Sequence, residues 1–143
     1  MPYRYRDDIA TADVAFEVWG ESLEEVFAAA ADATMNVMVE DISTIGCLHQ
    51  LTVELGHDQL DLLLFSFLNE LIFLKDARKL LLRVQDISIG MEEAKFALKS
   101  TLCGEMPDAG KHRLATDVKA VTLHRFSLDK TESGWQAFVI LDI

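Results

Sequence analysis

The chain has 143 residues, half of them hydrophobic, which suffices to bury one sizeable core and predicts a single domain, 1–143. Its formal net charge of −11 repels phosphate backbones, so we expect no direct binding of nucleic acid. The chain has no apolar leader segment, no apolar run of the roughly 20 residues that span a membrane, and no disulfide framework. These features exclude membrane proteins and predict a cytoplasmic location.

The first predicted elements are a strand and a helix. Apolar and polar residues alternate over 12–19, a period of two that indicates a half-buried strand ending at Gly20. Ser22 and Glu25 then have the spacing of a capping box. Apolar residues at helical spacing follow, and they predict a helix that ends near Val39.

A second strand and helix follow. Residues 51–55 alternate and are closed by Gly56, and Asp58 is the predicted N-cap of the next helix. Leucine and phenylalanine side chains recur at spacings of three and four between residues 60 and 72. The apolar stripe is broad, so we expect this helix to be largely buried against a sheet.

After residue 79 the apolar residues again recur with a period of two. Strands are predicted near 80–89, 95–103, 118–125 and 135–141, although 92–102 also has helical propensity. Two strand–helix pairs followed by a run of strands are typical of the α+β class. We therefore expect a mixed β-sheet with two main helices packed on one face.

Carboxylates at the two ends of the chain are the candidate metal ligands. Asp13 lies on the polar face of the first strand, and Asp142 directly follows the last one. The chain ends on a strand, so we expect the α-carboxylate of Ile143 at the sheet edge. If the first and last strands are neighbours, the three groups converge as oxygen ligands of the kind that Ca²⁺ and Mg²⁺ prefer. The alternative is two solvated acids at strand ends.

Lys119 is a second candidate because it interrupts the apolar alternation of its strand. A lysine beside carboxylates can hold an anionic or phosphate-bearing group, whereas the alternative is a lysine that faces solvent. The four histidines share no ligand spacing, and the sequence has no phosphate-binding glycine loop. We therefore predict no catalytic residue.

Five blocks, in order along nearly the whole chain, resemble the archease family. They are 11–27, 36–39, 58–70, 118–122 and 141–143. The third contains Leu-Leu-Phe-x-Phe-Leu-Asn-Glu, and the last two match the Lys-Ala-x-Thr and Asp-Ile segments of that family. The combination is specific, although no single block is.

The resemblance implies an archease-like two-layer domain and a helper protein that is not an enzyme. Archeases assist the GTP-dependent RtcB-type RNA ligase in tRNA splicing and RNA repair, where they promote guanylylation and multiple turnover of the ligase. By the same resemblance, Asp13, Asp142 and Ile143 hold a divalent metal, usually calcium. Asp13 and Lys119 are then the residues on which activation of the ligase most depends.

One departure from the family concerns Ala10. Many archeases have His-Thr-Ala-Asp where this chain has Ala-Thr-Ala-Asp at 10–13. Alanine neither ligates a metal nor transfers a proton, so any role of that histidine is lost here or moved, with Asp8 as a candidate.

Two other functions compete with ligase activation. The same carboxylates could serve a metal-dependent phosphoester hydrolase by activating a water molecule, although the sequence offers no obvious general base beside them. A chaperone-like protein-binding module, in which the metal only stiffens the fold, is the other alternative.

Overall fold

The structure is a computed structural model that describes residues 2–7 and 13–143. These residues form seven strands and two long helices, in the order β1 (Tyr3–Arg6), β2 (Asp13–Gly20), α1 (Leu23–Met38), β3 (His49–His57), α2 (Leu60–Arg78), β4 (Leu81–Glu92), β5 (Lys95–Glu105), β6 (Ala120–Thr131) and β7 (Gly134–Asp142). A single turn of 3-10 helix, Ile42–Thr44, follows α1.

The strands form two sheets, one in the order β1-β2-β7-β6 and the other in the order β3-β5-β4. The α+β class with two main helices is confirmed. The single mixed sheet expected from the sequence is instead two sheets, antiparallel in every described pair. The reason is the connectivity: tight turns join β4 to β5 and β6 to β7, and α1 carries the chain from the first sheet to the second. Each helix contacts strands of both sheets.

The two helix starts differ in how they are capped. The Ser22 hydroxyl accepts the Glu25 N–H at 3.1 Å, as the capping box predicts, while the Glu25 carboxylate accepts the N–H of Glu21 at 2.7 Å. The predicted Asp58 cap of α2 is wrong. Gln59 occupies that position and makes no side-chain hydrogen bond to the helix.

One hydrophobic core joins both helices and both sheets. At its centre the fully buried rings of Phe27 and Phe67 lie 6.0 Å apart, which fixes α1 against α2. Within the part of the chain that the structure describes, neither helix is long and apolar enough to cross a membrane. Both cysteines are free.

The long connection from β5 to β6 is anchored at Glu105. Its buried carboxylate accepts the N–H of Gly46 and a hydrogen bond from Lys111 Nζ at 2.7 Å. The Nε2 atom of buried His112 lies 3.2 Å away, and its Nδ1 accepts the N–H of Asp108. The Lys111 ammonium, and then the Gly46 N–H, lower the pKa of Glu105 to about 2.

We expect acid to weaken this anchor. Because the pKa of Glu105 is lowered in the folded state, its contribution to the free energy of unfolding is present above pH 4.5 and is lost as the pH falls toward 2. Urea unfolding between pH 5 and pH 2 should therefore show a steeper loss of stability in the unaltered protein than in a Glu105→Gln variant. Glu54→Gln, at an exposed acid on β3, is the control. Equal slopes in the Glu105→Gln variant and the unaltered protein would contradict the expectation.

Candidate functional site

Strand β2 pairs with β7 over its whole length and brings Asp13 opposite Asp142. Directly opposed residues of antiparallel strands project to the same face of the sheet, with Cβ atoms about 4.5–5.5 Å apart. Like charges so placed are destabilising, whereas a cation between them would be attracted by both. The fold therefore joins two half-buried carboxylates that the sequence places near opposite ends of the chain.

Ile143 follows Asp142 directly, and its half-buried side chain packs against the hydrophobic core. Ile143 is thus the residue next to the acidic pair, at the same end of β7. No group of three His, Cys, Asp or Glu side chains within residues 2–7 and 13–143 is placed to hold a metal. The candidate donors at this end of the sheet are the two opposed carboxylates, with the main chain of Ile143 next to them. They suit a hard cation, and Ca²⁺, which takes about six to eight oxygens, would need further ligands from water or a partner.

Lys119 lies at the same end of the sheet. Its N–H donates to the carbonyl oxygen of Asp142 at 2.8 Å, and its neighbour Ala120 is the β6 partner of Asp142. The side chain of Lys119 is exposed and makes no ion pair with any described residue. All the predicted site residues thus lie at one end of the sheet, with an ammonium group that no described carboxylate neutralises.

Helix α2 fixes the backbone on either side of Lys119. Lys75 is 8% exposed, and its Nζ donates to the Val118 carbonyl at 2.8 Å and to Asp117 at 2.6 Å. Burial opposes the charge on Lys75, but the hydrogen bonds to Asp117 and Asp76 outweigh it and raise the pKa of the ammonium. Sequence reasoning missed Lys75, although it occupies the next position of the apolar stripe of α2. A lysine on a buried stripe indicates a buried polar partner.

Replacing Lys75 by methionine should lower the free energy of unfolding by about 1–3 kcal/mol, because the Val118 carbonyl and Asp117 lose their donor. Lys99→Met is the matched control, since Lys99 is exposed and lies 3.9 Å from Glu54. Chemical denaturation of both variants measures the difference. If the two variants lose the same amount, Lys75 does not anchor this segment.

Two arginines lie against the Phe138 ring, further along β7 from the acidic pair. Alternation along β7 places Phe138 on the face of Asp142. The guanidinium carbons of Arg6 and Arg125 lie 5.8 and 5.2 Å from the centre of the Phe138 ring. Arg125 has a positive φ of 56° where the β6–β7 register is interrupted. The sequence did not single out either arginine, because neither β1 nor this irregularity was predicted.

The departure at Ala10, and the suggestion that Asp8 replaces the missing histidine, lie outside the described residues. The outcome at these positions therefore stays a prediction. Asp13 is the first described residue after them and is the first residue of β2.

Comparison with known sequences gives consistent matches over the full chain. The sequence model of the Archease protein family (MTH1598/TM1083) matches residues 3–143. A protein named archease from Archaeoglobus fulgidus is 37% identical over 144 residues, and the match covers 100% of both chains. The one from Methanosarcina mazei is 35% identical over 134 residues, 93% of this chain and 91% of the relative.

Two solved structures share the fold. Protein 1598 of Methanobacterium thermoautotrophicum, determined in solution, has a TM-score of 0.86 and 31% identity, and 99% of each chain is covered. A Thermotoga maritima protein, described as an archease and possible chaperone, has a TM-score of 0.64 at 22% identity, over 96% of this chain and 97% of that one. At that identity the second likeness concerns the fold alone.

Proposed function

The chain belongs to the archease family, and we propose that it activates a GTP-dependent RtcB-type RNA ligase in tRNA splicing and RNA repair. In this proposal it is an accessory factor without catalytic activity of its own, and it raises guanylylation and multiple turnover of the ligase. The observation that supports it most is the pairing of Asp13 with Asp142 at the sheet end where Lys119 also lies.

Asp13, Asp142 and the main-chain carboxyl group of Ile143 hold a divalent metal, calcium, in this proposal. When bound, the ion supplies a concentrated positive charge that favours phosphate oxygens. The opposed carboxylates support this assignment, because the repulsion between them destabilises the fold unless a cation binds between them.

Lys119 supplies the second positive charge. Its ammonium group is exposed, and the hydrogen bonds of Lys75 and of the Lys119 N–H itself hold the backbone around it. A compact point charge of this kind favours a phosphate group presented by a partner. We infer that Lys119 acts on the guanylylation step of the ligase.

The ligase is the partner rather than the RNA, because a net charge of −11 opposes approach to a nucleic-acid backbone. We place this activity in the cytoplasm. The two free cysteines, Cys47 and Cys103, support a reducing compartment.

The test is multiple-turnover ligation by the cognate ligase with and without the protein. We expect product to exceed one equivalent of ligase several-fold when the protein and GTP are both present. Unchanged turnover would overturn the proposal. Phosphate release from phosphoesters by the isolated protein with metal would favour the hydrolase alternative instead. Stabilisation by Ca²⁺ without any stimulation of ligation would favour the chaperone-like alternative.

Calcium should also raise the melting temperature. A ligand that binds only the folded state at 100 times its Kd adds about 2.7 kcal/mol to the free energy of unfolding. We expect this gain in the unaltered protein and in Asp129→Asn, whose acid is exposed at the other end of the sheet. The Asp142→Asn variant should lose most of it. An equal gain in all three proteins would remove Asp142 from the metal site.

A further inference from the structure

A groove of about 880 Å³ lies at the opposite end of the β2–β7 pair. Gly20 of β2 pairs with Trp135 of β7 there, whereas Asp13 pairs with Asp142 at the other end. Seven residue steps of about 3.4 Å separate the two ends, a distance of about 24 Å. The groove is therefore separate from the proposed metal site.

Both tryptophans of the chain line this groove. Trp19 is 43% exposed, so a large part of its indole ring is open to a ligand. Trp135 is half-buried, and Lys130 Nζ lies 5.9 Å from the centre of its ring. The protein itself therefore places a cation against one of the two rings.

The charged residues that line the groove are all acidic: Glu21, Glu25 and Asp32, with no lysine or arginine among the described lining residues. Both Asp32 oxygens bind Arg83 at 3.2 Å. By contrast, the Glu21 carboxylate is exposed and has no hydrogen bond or ion pair to any described residue. Glu21 therefore contributes an unneutralised negative charge to the groove that the exposed Trp19 also lines.

The walls of the groove are held by close backbone contact. Gly134, the first residue of β7, has a φ of 155°, and a Cβ built there would lie 2.1 Å from the carbonyl oxygen of Gly20. Only glycine permits this approach of the start of β7 to the end of β2. Because the backbone on both sides is packed, the groove is formed before any ligand arrives.

We propose that this groove binds an arginine side chain on a basic segment of a protein partner. A guanidinium group stacks on an indole face and also pairs with a carboxylate through two parallel hydrogen bonds. Trp19 offers the indole face and Glu21 the carboxylate, and only Gly20 separates them along the groove wall. Arginine fits better than lysine, because a planar guanidinium uses both contacts at once. The strongly acidic character of the chain draws such a segment toward the surface.

The groove can be tested directly because its two tryptophans give the only indole N–H signals in a ¹⁵N-correlated NMR spectrum. The probe is a capped five-residue peptide of alternating glycine and arginine, titrated into the unaltered protein. We expect both indole signals to shift saturably. The affinity for the matching lysine peptide should be lower by a factor of about three or more. The matching citrulline peptide, which lacks the charge, should not bind.

Three variants separate the proposal from a nonspecific charge effect. Trp19→Ala should weaken binding of the arginine peptide about tenfold, read from the remaining Trp135 signal, while Trp19→Phe should retain most of it. Glu21→Gln should weaken it about threefold and reduce its dependence on salt. Glu54→Gln, at an exposed acid on β3 of the other sheet, should leave it unchanged. No saturable shift, equal binding of the citrulline peptide, or unchanged binding to both Trp19→Ala and Glu21→Gln would overturn the proposal.

Discussion

Asp13→Ala should reduce ligase turnover to the level of the ligase alone. Asp13 contributes half of the opposed carboxylate pair, and a single remaining acid at Asp142 holds a hard cation weakly. If the metal and Lys119 act together on the phosphate of the partner, losing either removes the effect. Lys119→Ala should therefore cause the same loss, and multiple-turnover ligation with each variant measures it.

Asp129→Ala is the control for this experiment, because it removes an exposed acid from the same sheet away from the site. It should stimulate ligation like the unaltered protein. The thermal stability of Asp13→Ala in the absence of metal should equal or exceed that of the unaltered protein, because a like-charge repulsion has been removed. Full stimulation by both Asp13→Ala and Lys119→Ala would refute the site assignment.

Gly104→Ala should destabilise the fold by about 3 kcal/mol or more, because it overpacks the centre of the second sheet. A Cβ at Gly104, on the central strand β5, would lie 1.7 Å from the carbonyl oxygen of Leu81 and 3.0 Å from the Leu82 Cα. These atoms belong to backbone, so no side-chain rotation relieves the contact. The β4–β5 pairing must shift instead.

Gly90→Ala on the neighbouring strand β4 is the matched control, since no atom lies within 4 Å of the added methyl group. In urea unfolding, the midpoint of Gly90→Ala should be close to that of the unaltered protein, and the midpoint of Gly104→Ala should be far below it. Similar midpoints for the two variants would show that the sheet accommodates the methyl group at Gly104.

Much of the fold follows from periodicity in the sequence. Alternation over 12–19 and 51–55 predicted β2 and β3, and the capping box at Ser22 marked the start of α1. These elements are predictable because one face of each is buried, so the hydrophobic pattern has the period of the backbone. The predicted strand at 118–125 begins in the structure at Ala120, and the carbonyl of the buried Val118 before it accepts a hydrogen bond from Lys75 rather than from a neighbouring strand.

Other elements could not be predicted because their cause is not local. Strand β1 is four residues of alternating tyrosine and arginine, too short for a periodicity argument. It forms because the edge of β2 that faces away from β7 is available for pairing. Asp58, just before α2, was a plausible cap by residue type, yet the helix begins after Gln59. The division into two sheets likewise depends on which distant strands pair with each other, which no single segment specifies.

The candidate site was only partly predictable for the same reason. The sequence marked Asp13 and Asp142 as acids at strand ends, but their convergence required β2 and β7 to be neighbours, which only the fold establishes. Lys119 was marked by its place in the pattern, whereas the role of Lys75 depends on a contact 43 residues away along the chain. The groove at Trp19 could not be predicted from periodicity, since a single exposed tryptophan at a strand end forms no repeating pattern.

The pairing of β2 with β7 also constrains how the protein is made. Asp13 and Asp142 are almost a full chain length apart, so closing this contact carries a large loss of chain entropy and is expected late in folding. During synthesis, β2 leaves the ribosome long before β7 and has only β1 to pair with. Its open edge, with Phe16 and Val18 on one face, is then a template for pairing with other nascent chains. Asp13, a charged residue on the other face, opposes such pairing in this interval.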